Sequence, residues 1–180
     1  MSLTKVTFDD YVADDILKFE NVIAQFAHGK CYIGEGILTK SEADSMCADL
    51  TTLDTALGSD VDEISDLGEE PGSEKSEVEK LKTSNYLIEG KRTNTVELTL
   101  VGINQDRKDW LEQQLNKTIK TIVLVSASGK DVIIFNGMRW SYDRETTLNG
   151  LFSGKISTEY KGPTGSRYLI YMNIEPATVG

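Results

Sequence analysis

Side chains that do chemistry are scarce in this 180-residue chain, which holds one histidine and two cysteines. His28 has no second His and no Cys at ligand spacing, and acid–base work needs a partner that orients the ring, so a structural or surface role is the simpler reading. Cys31 and Cys47 lie sixteen positions apart with no second pair. That spacing supports neither a zinc site nor a disulfide framework and leaves a single bridge open. Long apolar runs are missing as well. The longest, such as Val132 to Phe135, fall far short of the roughly 20 residues that cross a bilayer, and none stands behind the lysine of the opening Met-Ser-Leu-Thr-Lys. These absences predict no cofactor, no metal, no membrane partner, and reduced thiols in a cytosol-like compartment. Basic residues are in deficit: 19 Lys and Arg stand against 29 Asp and Glu, a net charge of −10. Such a surface opposes adhesion to DNA or anionic lipid, yet lets a duplex pass without sticking.

The length supports one sizeable core with an appendage. From Thr4 to Ala27 the apolar residues Val6, Phe8, Tyr11, Val12, Ile16, Phe19, Val22, Ile23 and Phe26 mix two periods, which reads as part strand, part helix. Lys30 to Leu38 reads as a short strand bent around Gly34 and Gly36. Thr39 and Ser41 can cap a helix, with Glu42 in reach as box partner. Ala43, Met46, Cys47, Leu50, Leu53 and Leu57 then follow at helical spacing to Gly58. From Asp54 to Glu79 ten acidic residues face one basic residue, Lys75, with Gly68, Pro71 and Gly72 at the centre. Self-repulsion and turn residues predict a long mobile loop, an acidic insertion over about 58–80.

The second half alternates more cleanly. Val96, Leu98 and Leu100 against Thr95, Glu97 and Thr99 give a half-buried strand over Thr93 to Val101, ended by Gly102. Asn104 caps a helix reaching Lys117, with Trp110, Leu111 and Leu115 on one stripe. Thr121 to Val125 and Asp131 to Phe135 form a hairpin through Gly129. Further strands are read over Met138 to Thr147, Phe152 to Tyr160, and Arg167 to Ile174 after the turn Gly162-Pro163-Thr164-Gly165. Six strands and one inserted helix predict a mainly β (α+β) fold. It would be a β-sandwich or partly closed barrel with one flanking helix and the long acidic loop, in a single domain over 1–180.

Three chemical readings fail on their residues. Lys161 to Arg167 lacks the Gly-Lys-Ser/Thr ending of a phosphate loop and sits between strands. Asp60, Asp62 and Asp66 miss the Gly and Glu positions of a calcium loop. Trp110, Trp140, Tyr142, Phe152 and Tyr160 suit core or subunit contacts better than a face for bases or sugars. With no nucleophile and base at matching positions, an enzyme is not expected.

From Arg92 onward the order of elements resembles the tail tube proteins of bacteriophages and the related tube subunits of contractile injection systems. The similar pieces are the strand Thr95-Val-Glu-Leu-Thr-Leu-Val-Gly102, the helix Asn104 to Lys117, the hairpin through Gly129, and the strand pair around Asn149 to Gly162, about half of the chain. The resemblance implies a structural virion protein in the phage tail, assembled in a bacterial host cytoplasm. Six copies would join into a ring, and rings would stack into a hollow tube that delivers DNA without specifically binding it. Its partners would be itself and other tail proteins. In that family a long loop between early strands contacts the neighbouring ring, which points to Asp60, Asp62, Glu63, Asp66, Glu69 and Glu70. Glu97, Thr99, Ser157 and Glu159 would face the lumen. Two other readings compete: a head–tail connector, tail terminator or decoration protein that forms one ring and stops, and a monomeric β-barrel that binds a ligand or protein.

Overall fold

The computed structural model describes residues 3–4, 22–83, 85–148, 150–161 and 169–174. Most of the mixed segment from Thr4 to Ala27, and the turn Gly162–Gly165 with the loop around it, lie outside them. Among the described residues a short 3-10 helix, Ile23–Phe26, leads into strand β1 (Lys30–Glu35). Helices α1 (Lys40–Met46) and α2 (Leu50–Ser59) follow. Then come strands β2 (Asp62–Lys82) and β3 (Leu87–Ile103), helix α3 (Gln105–Gln114), and strands β4 (Lys120–Val125), β5 (Asp131–Met138), β6 (Ser141–Leu148), β7 (Leu151–Lys161) and β8 (Leu169–Asn173).

The helix expected from Thr39 to Gly58 is two helices. Thr39 forms the capping box, its Oγ1 accepting from the Glu42 amide at 3.1 Å while the Glu42 carboxylate accepts from the Thr39 amide at 3.3 Å. Seven residues later the chain turns, because Asp49 caps a second helix by accepting from the Thr52 amide at 2.7 Å. The Asn104 cap is as expected: its side chain accepts from the Arg107 amide at 2.9 Å, and Leu111 and Leu115 face inward. Trp110 does not join them and stays 36% exposed.

The expected acidic loop over 58–80 is instead the end of α2 and the long strand β2. Charge repulsion does not prevent a strand when the carboxylates point to solvent and the backbone has a partner. Here Ile64 and Leu67 are buried, and β3 supplies the partner along most of the length. Gly68, Pro71 and Gly72, which read as loop residues, mark a bulge: Leu67 pairs with Leu100 and Gly72 with Leu98, so four residues bulge opposite Thr99 alone. Proline is tolerated there because the ladder is already interrupted. At Gly72 a Cβ would lie 2.3 Å from the Glu97 carbonyl oxygen, so only glycine lets the two backbones meet. Strand β3 also begins earlier than Thr93 and passes through Gly102 to Ile103.

All eight strands pair antiparallel in one sheet of order β6-β7-β3-β2-β1-β4-β5-β8. The fold is therefore mainly β, with eight described strands where seven were read, β2 being the addition, and the two-sheet sandwich is set aside. The sheet is open by hydrogen bonding but curled. Strands β7 and β5 are five places apart, about 24 Å in a flat sheet. Yet the Thr158 hydroxyl donates to the Arg139 carbonyl, just past β5, at 2.6 Å. The concave side holds one continuous core from Val96 and Ile156 across to Ile133 and Phe135, closed by Leu111 and Leu115 of α3. At the seam Phe135 meets Trp140 edge to face, ring centroids 5.6 Å apart. On the opposite side, α1 and α2 cover only β1, β4 and β5, burying Ala43, Leu53 and Ala56 against Val123, Val132 and Ile134. Strand β4 is consequently buried at every position.

Removing the seam should open the curl. Trp140→Ala is expected to destabilise the fold by about 3–5 kcal/mol, and Trp110→Ala by much less, as read from the midpoints of denaturant unfolding.

Candidate functional site

Strands β6, β7 and β3 and the middle of β2 share an outer face that no described helix covers. Glu97, Thr99, Ser157 and Glu159 lie together on it: Glu97 pairs opposite Ser157, Thr99 opposite Lys155, and Glu159 opposite Thr95. The face is polar but not simply acidic. Lys155 Nζ lies 3.2 Å from Glu97 Oε1 and 3.3 Å from Glu145 Oε1, bridging three strands. Lys75 joins the same face opposite Thr95, 2.8 Å from Glu77. Lys155 escaped the sequence reading, although its parity with Ser157 and Glu159 already placed it on their side.

The acidic residues assigned to one loop are dispersed. Asp60 ends α2, Glu69 and Glu70 sit exposed in the bulge, and Asp66 pairs opposite Lys30. Asp60, Asp62 and Glu63 instead form one wall of a cleft of about 570 Å³ between β1, the start of β2, and α3. Its floor is apolar, with Ile33, Ile64 and Leu111, and Trp110 stands beside it. Glu35, Asp106 and Arg107 complete the rim with Lys120. Lys120 is 1% exposed, and its ammonium needs company to stay there. It donates to Thr118 Oγ1, lies 3.1 Å from Glu35 Oε1, and sits 5.8 Å from the centroid of the Trp110 ring. Nearby, Lys30 binds Glu63 at 3.2 Å, and that carboxylate raises the Lys30 ammonium above its ordinary value. Of the aromatics, Trp140 and Phe152 belong to the core, Tyr142 packs against it, and Trp110 alone borders a cleft. The side chain of Tyr160 lies outside the described residues.

A third feature is a projecting ribbon. Strand β1 pairs with β2 only as far as Asp66, and β7 pairs with β3 only from Thr93. Beyond those points, among the described residues, Val78 to Lys82 and Leu87 to Arg92 pair only with each other. An isolated two-stranded ribbon is marginal in water. This one ends in exposed apolar side chains: Leu81 at 52%, Tyr86 at 67%, Leu87 at 63% and Ile88 at 45%.

Among the described residues no group of three or more His, Cys, Asp or Glu side chains is placed to hold a metal ion. Cys31 and Cys47 are free and buried, one in each core, so the bridge left open by their spacing is not made. Burial raises both thiols, Cys47 to about 11 and Cys31 further. No described helix is long and apolar enough to cross a membrane. Set against known proteins, the chain matches no family model and no curated sequence.

Hydrogen bonds that Lys155 donates to Glu97 and then to Glu145 raise it above the ordinary lysine value of 10.5. A cation held above its unfolded value stabilises the fold at and below that value and loses the contribution as pH climbs through the raised one. Thermal melting should therefore show a Lys155→Gln variant less stable than the parent at neutral pH, the gap narrowing as pH is taken above 10.5.

Proposed function

We propose that this chain is a structural subunit that assembles with copies of itself into rings and stacked tubes, in the manner of a phage tail tube protein. The observation that carries the reading is the ribbon. It extends past every described neighbouring strand with Leu81, Tyr86, Leu87 and Ile88 exposed, at a place where a monomer gains nothing from them. Two further features support it. Among the described residues, strands β6 and β8 end the sheet with one neighbour each, and hydrogen-bonding edges of that kind are what a closed ring would satisfy. The outer face of β3 and β7 is polar, has no helical cover, and carries its basic residues inside ion pairs, which suits a channel wall that phosphates slide past. In this reading Glu97, Thr99, Ser157 and Glu159 line the lumen, the partners are other copies and other tail proteins, and the site of action is the virion. Chemistry is not assigned.

A second reading has one observation in its favour. The cleft beside α3, with Trp110 at its rim over an apolar floor, is large enough for a small ligand, as in a monomeric binding module. Assembly separates the two.

Negative-stain microscopy of the purified chain should show rings or tubes, and light scattering should show mass rising with concentration. A chain that stays a 19.9 kDa monomer at high concentration overturns the subunit reading. Within assembled tubes, Glu97→Lys with Glu159→Lys should leave assembly in place and make the channel retain DNA through contacts that weaken with salt. Normal DNA ejection from particles carrying the double variant would remove these two residues from the lumen.

A further inference from the structure

We propose that the apolar tip of the β2–β3 ribbon of one copy docks into the acid-rimmed cleft beside α3 of a second copy, a head-to-tail contact that propagates along the assembly. The inference rests on the subunit reading and names the partner surface that reading needs.

The tip has a defined face. Leu81 pairs opposite Ile88, and the Thr83 amide donates to the Tyr86 carbonyl at 2.9 Å, so Leu81, Tyr86 and Ile88 project to one side. That side is not an extension of the protein's own core. The bulge before Gly72 shifts the phase of β2, and a second register shift after Val78 shifts β3. Alternation from there puts Leu81 and Ile88 on the same side as Lys75 and Glu97, away from Val96 and Leu98. Lys80 and Lys82 project to the other side. Over residues 79–92 the ribbon carries four basic residues against two acidic ones, in a chain whose net charge is −10.

The cleft has the opposite character. Five carboxylates, Glu35, Asp60, Asp62, Glu63 and Asp106, stand against Arg107 and Lys120, around a floor of Ile33, Ile64 and Leu111. A tip entering end-on, with Leu81 and Ile88 toward Leu111 and Trp110 and the opposite side with Lys80 and Lys82 toward the wall of Asp60 and Asp62, buries surface without stranding a charge. Trp110, more than a third exposed at the rim, is the kind of aromatic anchor such contacts use. The contact has to run between copies. Leu81 lies nineteen residues along β2 from Asp62, roughly 50–60 Å of strand, so a ribbon cannot reach the cleft of its own chain.

The test uses full-length chains with reversed charge. Lys80→Glu with Lys82→Glu should weaken association at least about tenfold, and so should Asp62→Lys with Asp106→Lys, each measured by light scattering. A 1:1 mixture of the two variants should assemble where neither does alone, since every contact between them is again complementary. A single chain with all four substitutions should also assemble. Circular dichroism checks folding, and Asp62→Asn with Asp106→Asn replaces the cleft reversal if that variant unfolds. If Leu81→Asp with Ile88→Asp abolishes assembly while the cleft variants assemble like the parent, the tip docks elsewhere: the inference fails and the subunit reading stands. Assembly unaffected by tip and cleft variants alike also overturns it. A parent chain that never assembles overturns both.

Discussion

The pairing of β2 with β3 is the constraint on which the rest of the molecule depends, because it is the only seam in the sheet between its two wings. On one side lie β3, β7 and β6; on the other, β2 leads to β1, β4, β5 and β8. The register across that seam decides whether Leu67 faces the same core as Leu98 and Leu100, and a slip by one residue would turn one wing inside out. The bulge at residues 68–71 absorbs the mismatch, and Gly72 permits it by letting the chain close on the Glu97 carbonyl. The same two strands then run on past both wings as the ribbon. One pairing thus sets the core and aims the projecting tip.

The two wings are stabilised differently. Strands β4 and β5 are buried on both faces, between the inner core and the α1–α2 cover, so changes there act mainly on stability. Strands β3, β7 and β6 bury one face and leave the other to cross-strand pairs centred on Lys155. Exposed ion pairs contribute little stability. What they do is occupy the lysines of a face on which carboxylates outnumber them, which leaves it wet and unattractive to phosphate.

Period-two alternation and caps made much of this architecture legible. Val96, Leu98 and Leu100, the hairpin through Gly129, Phe152 to Thr158, the Thr39 box and the Asn104 cap stand where their residues placed them. Composition misled at β2. A density of carboxylates argues against burial, and most of β2 is indeed exposed, but a strand needs only a backbone partner, and the partner, β3, was hidden in tertiary structure. The bulge residues compounded the error, since glycine and proline mark interrupted ladders as readily as loops. The four lumen candidates were legible because parity alone puts Glu97, Thr99, Ser157 and Glu159 on one side. The cleft was not, because β1, β2, α3 and β4 meet only through folding, and neither Lys120 nor Trp110 announces which neighbour it will have.

A chain with net charge −10 that assembles with itself faces a general repulsion, so its contacts must either bury apolar surface or oppose unlike charges locally. The ribbon and the cleft concentrate both means at two separate places on one molecule. Because the two surfaces differ, their contact is heterologous: each copy that offers a tip leaves its own cleft open for the next. It closes into a ring only if the rotation between copies divides a full turn, and otherwise it grows as a filament. The stiffness of the β2–β3 ribbon matters for that choice, since a flexible linker would let copies meet at any angle, whereas a twisted two-stranded ribbon anchored in the sheet fixes one. In the proposed contact the register shifts that rotate the apolar face away from the core would do more than expose it: they would set the angle at which the next copy is received, and so whether the assembly closes or extends.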